Sequence, residues 1–207
     1  MRQQTLLKIV GLMRKNLDKG LTILEISKRL KIGYRPAYNH INSMGKENII
    51  TVERIGNAKK CSLNLDDPKC RHILGELDSM KKEQIYKEYP KVKAIVEGLV
   101  SKLTTEYISE IHSIVLFGSY AKGTATKTSD IDLIFIVSNL KNKQIREGIE
   151  RESASYQYSH NIKASPLITD IIEFKKMLRS DKLSVGKEAR ETGISLYGSE
   201  MFWRLVA

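Results

Sequence analysis

Asp130 and Asp132 are the residues of this chain whose type and spacing most directly imply chemistry. They stand in Ser129-Asp130-Ile131-Asp132-Leu133, which runs without a break into the apolar stretch ending at Val137. Side chains two apart on a strand share a face, so both carboxylates address one region while Ile131 turns to the opposite layer. Two carboxylates held together repel, and one titrates upward unless a cation lies between them. Mg2+, alone or as a pair, is the hard cation that commonly bridges carboxylates to substrate phosphates. Upstream, Ile114-Val115-Leu116-Phe117 reads as a short buried strand, broken by Gly118-Ser119. Gly118 lets the backbone approach a ligand closely. Ser119–Lys122 predicts a short helix whose free N–H groups favour an anion. Phosphate on one side and metal-binding carboxylates on the other make a nucleoside triphosphate site.

The compound pattern Gly118-Ser119-Tyr120-Ala121-Lys122-Gly123, followed after a polar loop by Ser129-Asp130-Ile131-Asp132-Leu133, resembles the signature of the minimal nucleotidyltransferases of the polymerase-beta superfamily. The resemblance implies Mg2+-dependent transfer of a nucleotidyl group from a nucleoside triphosphate to a hydroxyl acceptor, with release of pyrophosphate. It implies that Gly118, Ser119 and Ser129 hold the nucleotide. Asp130 and Asp132 are then catalytic metal ligands, and two metals about 3.5–4 Å apart could clamp the attacking and leaving oxygens. The resemblance also implies a third carboxylate on a neighbouring strand. The strand expected to supply it, Ile162–Ile168, contains none. Asp170 with Glu173 three residues later reads as a helix N-terminus rather than a ligand, and Lys163 opposes metal binding.

The elements around this stretch divide by charge. The chain has 207 residues and a formal net charge of +11. Residues 1–65 hold 13 Lys or Arg against 4 Asp or Glu, whereas residues 66–207 hold 22 against 20. The excess on the first segment predicts an anionic partner, most often nucleic acid. A hydrophobic content of 41% with 29% charged residues suits a globular protein. No apolar run reaches membrane-span length, and Met1–Gly20 carries charges in place of a signal-peptide core. Cys61 and Cys70, with no CxxC or histidine cluster around them, predict two reduced thiols in a cytoplasmic protein.

In the basic segment, Leu6, Ile9, Val10, Met13 and Leu17 line one face of a helix over Gln3–Leu17. A second helix, Thr22–Leu30, opens with Thr22 and Glu25 as a capping box. A third, Arg35–Lys46, buries Ala37, Ile41 and Met44 and exposes Arg35, Tyr38, Asn39, Asn42 and Ser43. Ile49–Arg54 and Cys61–Leu65 alternate as strands about a Gly56-Asn57 turn, with Lys59 and Lys60 near its tip. Helix, helix, turn, helix, hairpin is similar to the winged helix-turn-helix family over residues 3–65. That likeness implies duplex DNA as partner, read by Arg35, Tyr38, Asn39 and Asn42 in the major groove, with Lys59 and Lys60 on backbone phosphate. Winged helices also serve as protein-docking modules.

Two charged helices, Lys69–Glu88 and Lys91–Glu106, follow as a connector that could also make a homodimer. After the signature come a helix over Lys141–His160, the edge strand Ile162–Ile168 with Pro166, and helices Ile171–Leu178 and Asp181–Thr192. Ile194–Tyr197 closes as a short strand, and Phe202-Trp203 as a packing anchor. The expected class is α+β or α/β: a winged helix-turn-helix domain over 1–66, a helical connector over 67–108, and a nucleotidyltransferase fold with a small mixed sheet flanked by helices over 109–207. Two further readings stand beside the enzyme. One is a DNA-binding transcription regulator whose second domain binds nucleotide or a partner protein with little or no turnover. The other, from the family resemblance, is an antitoxin that modifies a partner toxin.

Overall fold

The computed structural model describes the backbone of every residue except Met1, Asn57, Asp181 and Leu183, and the side chains of these apart from those at 2, 3 and 157–160. The chain divides into two compact units, Met1–Leu77 with Ala207, and Asp78–Val206.

The first unit opens with α1 (Arg2–Arg14), β1 (Leu21–Thr22), α2 (Ile23–Leu30) and α3 (Tyr34–Lys46), followed by β2 (Ile50–Ile55) and β3 (Ala58–Leu63). The strands form one antiparallel sheet in the order β1-β3-β2. Ile9, Val10, Met13, Ile23, Ile26, Ala37, Ile41 and Met44 are buried and form the apolar stripes of the three helices. The capping box is present: Glu25 N donates to Thr22 Oγ1 at 3.2 Å, and Thr22 N donates to Glu25 Oε2 at 2.8 Å. Thr22 has a second duty that its sequence neighbourhood conceals. It ends β1 and pairs with Lys60 of β3. A two-residue strand carries no readable alternation, so only the partner strand defines it.

Several boundaries move: the first helix ends at Arg14 rather than Leu17, and the edge strand expected over Ile162–Ile168 runs Ala164–Asp170, so that Asp170 is its last residue. Helix α3 begins at Tyr34, after Gly33 as cap, one residue earlier than expected. Strand β3 begins at Ala58 rather than Cys61, because Ile55 to Ile50 pair along its whole length from Ala58 to Leu63. Lys59 and Lys60 therefore lie on the strand. Asn57 of the expected turn, and Asp181 at the expected start of the late helix, lie outside the described residues.

Helix α4 (Pro68–Glu88) begins in the first unit and continues from Asp78 in the second; α5 (Pro90–Glu106) follows after Tyr89. Then come β4 (Ile111–Phe117), α6 (Gly118–Lys122), β5 (Ile131–Val137), α7 (Lys143–His160), β6 (Ala164–Asp170), α8 (Ile171–Arg179), α9 (Val185–Thr192), β7 (Ile194–Tyr197) and α10 (Ser199–Val206). The sheet order is β6-β5-β4-β7, parallel between β5 and β6 and antiparallel elsewhere. Pro166 sits on the edge strand β6, where a missing N–H costs no ladder bond.

Strand parity sorts the two layers. Ile131, Leu133, Phe135 and Val137 share a core with Val92, Ile95, Leu99 and Leu103 of α5 and with Ile145 and Ile149 of α7. Ile134 and Ile136, of opposite parity, are fully buried on the other face, where α8 packs on β5 and α9 and α10 pack on β4. Phe174, Phe202 and Trp203 fill that layer, with ring centroids 6.0 Å apart for the first pair and 4.9 Å for the second. The Phe202-Trp203 anchor belongs to a helix, α10, that the sequence reading left unassigned. Trp203 Nε1 donates at 3.0 Å to the fully buried Asp78, whose same oxygen also accepts from Ser195 N at 3.3 Å. A buried carboxylate is tolerable only with such donors around it.

Candidate functional site

Asp132 has the parity of Ile134 and Ile136, so it faces the layer of α8, α9 and α10, across the sheet from the α5–α7 core. It pairs across the strands with Phe117 on one side and Ser165 on the other. The residue after Phe117 is Gly118, with φ of +70°. A Cβ there would overlap the Asp132 carboxylate, with Asp132 Oδ2 its nearest neighbour. Glycine is thus required twice, by backbone conformation and by space. The turn brings the start of α6 against β5 at Asp132. Gly123, with φ of +71°, ends this helix in the left-handed region and releases the loop that returns to β5.

Asp130 lies just before β5 on the same side. Its Oδ2 accepts from Ser165 Oγ at 3.1 Å and stands 3.3 Å from Lys163 Nζ. Asp132 makes no such pair among the described residues. Burial pushes its carboxyl above the usual carboxylate range, and the negative charges of Asp130 and Glu188 add to the effect; Lys163 and Lys122 oppose it. Glu188, on α9, is a residue that sequence reasoning missed. It forms a 2.8 Å ion pair with Lys122 of α6. No sequence spacing ties 188 to 122 or 132, so packing of α9 against α6 and β4 is the only signal.

The structure thus gathers Gly118, Ser119, Asp130 and Asp132 in one place. Ser129 is beside them, but its hydroxyl accepts from Thr126 N at 2.8 Å and so closes the intervening loop. Ser165 occupies the register position next to Asp132, on the strand where the resemblance calls for a third acid. Asp170 lies at the other end of β6, opposite Val137, and its Oδ1 accepts from Glu173 N at 2.8 Å as the cap of α8. A pocket of about 590 Å3 lies around Tyr89, Tyr120, Ala125 and Asn161. None of Gly118, Ser119, Asp130 or Asp132 lines it, and Tyr120 belongs to the opposite layer.

Among the described residues no group of three or more His, Cys, Asp or Glu is placed to hold a metal ion unaided. Asp130 and Asp132 nevertheless fit one Mg2+. An ion there would offset the burial and the repulsion that together raise Asp132, and would draw its other ligands from water and phosphate oxygens.

On the first unit, Arg35, Asn39 and Lys59 are exposed and Tyr38, Asn42 and Lys60 half-buried. Lys59 Nζ lies 5.1 Å from the centre of the Tyr38 ring, and Tyr34 stacks on the same ring at 6.4 Å. A hydrogen bond from Asn42, with the Lys59 charge, holds the Tyr38 phenol below its usual value. Lys59 of β3 thus meets the exposed side of α3 at Tyr38. Cys61 and Cys70 are both free and buried. Burial pushes the Cys61 thiol up to about 11 and the Cys70 thiol to about 12, so neither is reactive. No helix among the described residues is long and apolar enough to cross a membrane.

Residues 92–192 match the family model described as a nucleotidyltransferase domain. Two Methanocaldococcus jannaschii proteins, both provisionally named protein adenylyltransferases, are similar to the chain. One is 35% identical over 78 residues, covering 37% of this chain and 53% of its own length. The other is 24% identical over 86 residues, covering 42% of this chain and 82% of its own. The chain thus spans about half the length of the first of these relatives. A solved toxin–antitoxin structure with AMP-PNP is 23% identical with a TM-score of 0.36, covering 52% of this chain and 80% of that one. The family match and the two relatives support a nucleotidyltransferase domain in the second unit.

Proposed function

We propose that the second unit transfers a nucleotidyl group from a nucleoside triphosphate to a hydroxyl acceptor, and that the first unit is a winged helix-turn-helix module that binds duplex DNA. The observation that carries the enzymatic reading is the seating of the Gly118 turn on the Asp132 carboxylate. Phosphates held by the backbone and hydroxyl of Gly118 and Ser119 would lie against Asp130 and Asp132. When bound, Mg2+ supplies charge neutralisation between those carboxylates and the phosphates. Gly118 and Ser119 would orient the triphosphate, and Asp130 and Asp132 would hold the ion beside it. The relatives' name, protein adenylyltransferase, supports an adenylyl group as the group transferred and a protein as its acceptor.

For the first unit, the support is the order α1, β1, α2, α3 and hairpin, together with the excess of Lys and Arg over residues 1–65 and the exposed Arg35 and Lys59. A second reading is favoured by Ser165. With a hydroxyl where an acid would complete the shell, the domain binds nucleotide or a partner protein and turns over slowly, acting as a regulator.

Incubation with labelled nucleoside triphosphates, Mg2+ and cell extract tests both. Label moving to a macromolecule, and lost on Asp130→Ala, supports transfer. Binding without any label transfer supports the regulator and sinks the enzyme.

A further inference from the structure

Resting on the nucleotidyl-transfer reading, we infer that Lys163 is a built-in counter-charge to Asp130 that takes the place of a second metal ion, so that the site holds one divalent cation per bound nucleotide. The two carboxylates differ in what surrounds them. Asp130 Oδ2 already faces the Lys163 ammonium at 3.3 Å and the Ser165 hydroxyl at 3.1 Å. Asp132 has neither kind of partner among the described residues, although the charges of Lys163 and Lys122 reach it along with those of Asp130 and Glu188. Glu188 in turn carries Lys122 at 2.8 Å.

Lys163 immediately precedes β6, its carbonyl accepting from Ile131 N at 2.8 Å, and Ser165 stands two residues on in that edge strand, which runs parallel to β5. Parity therefore sends both toward the Asp130–Asp132 side. A protonated lysine donates and cannot ligate a metal. A second divalent ion on Asp130 Oδ2 would have to displace that lysine or share its oxygen with a like charge. The charges also balance without one. A second divalent ion held by one more carboxylate would bring a single net positive charge to this corner. Lys163 beside the neutral Ser165 brings the same charge with no metal. The cation that binds is then drawn to Asp132 and to Asp130 Oδ1, and Lys163 is a positioning residue that holds Asp130 in place.

The test counts ions. Mn2+ is titrated into the full-length protein with a non-hydrolysable nucleoside triphosphate analogue, protein in excess, and unbound Mn2+ is read from its electron paramagnetic resonance signal. Wild type and Lys163→Arg are expected to bind one Mn2+ per nucleotide. The double variant Lys163→Ala/Ser165→Asp is expected to bind two. Two in wild type overturns the inference and leaves the nucleotide site standing, whereas no binding of the analogue overturns the site itself. Should the double variant fail to fold, Lys163→Met decides. It should tighten the single Mn2+ several-fold while Lys163→Arg does not, and equal affinity in all three proteins overturns the role of the lysine.

Discussion

The Asp132 carboxylate occupies the space that a side chain at position 118 would need, and Gly118 holds a φ of +70° beside it. Strand, turn and carboxylate are thereby locked as one unit, because Asp132 also pairs across the strands with Phe117. The turn that would hold phosphate and the acid that would hold metal cannot move independently.

Gly118→Ala should therefore cost stability as well as ligand. The left-handed conformation alone costs an L-residue about 1–2 kcal/mol, and the overlap with Asp132 adds to it. We expect a lower melting temperature and no further stabilisation by Mg2+ with triphosphate. A variant that melts and binds as wild type does would show that the turn has room for a side chain beside Asp132.

Asp132→Asn should act in the opposite direction on the ligand-free protein. Because the folded-state pKa of Asp132 is raised, the native state holds this proton more tightly than the unfolded chain. Stability is then highest below the ordinary carboxylate value and falls as pH rises through the raised one. The asparagine variant lacks that fall, so it should be as stable as wild type or more so at neutral pH. Wild type at a hundredfold excess over Kd should gain about 2.7 kcal/mol from Mg2+ with triphosphate, and the variant should gain none. Thermal melts across pH, with and without ligand, measure both. Equal ligand-induced shifts would remove Asp132 from the site.

Asp170→Ala separates a cap from a ligand. Loss of an N-cap costs about 1 kcal/mol. Asp170 stands five residues along β6 from Ser165, roughly 16 Å at strand spacing, so Mg2+–triphosphate binding should be unchanged. A variant that keeps its stability but loses nucleotide would make Asp170 a ligand after all.

The first unit predicts salt-sensitive DNA binding. Affinity for duplex DNA should fall steeply as salt rises, through release of counterions from phosphate. Arg35→Ala and Asn39→Ala should reduce discrimination among sequences. Lys59→Ala and Lys60→Ala should weaken all sequences alike, with a shallower salt slope. Absence of binding to any duplex at low salt would make this unit a docking module.

What the sequence by itself determined is what short range can encode. The capping box of Thr22 and Glu25 spans three residues. The strand–turn–helix of Ile114–Lys122 needs only an apolar run and a glycine. The shared facing of Asp130 and Asp132 follows from a period of two, and the cap role of Asp170 from a spacing of three. Each is set by backbone geometry within one or two turns of chain, so residue order suffices. The tertiary structure alone decided which residues meet those carboxylates. Lys163 and Ser165 reach Asp130 because β6 pairs in parallel with β5 after a crossover through α7, in a register set by burial on both faces of the sheet. Glu188 reaches Lys122 because α9 packs beside α6. Strand β1 exists only because β3 offers it a partner. Those contacts join positions far apart in the chain through packing between layers, and no local spacing carries that information.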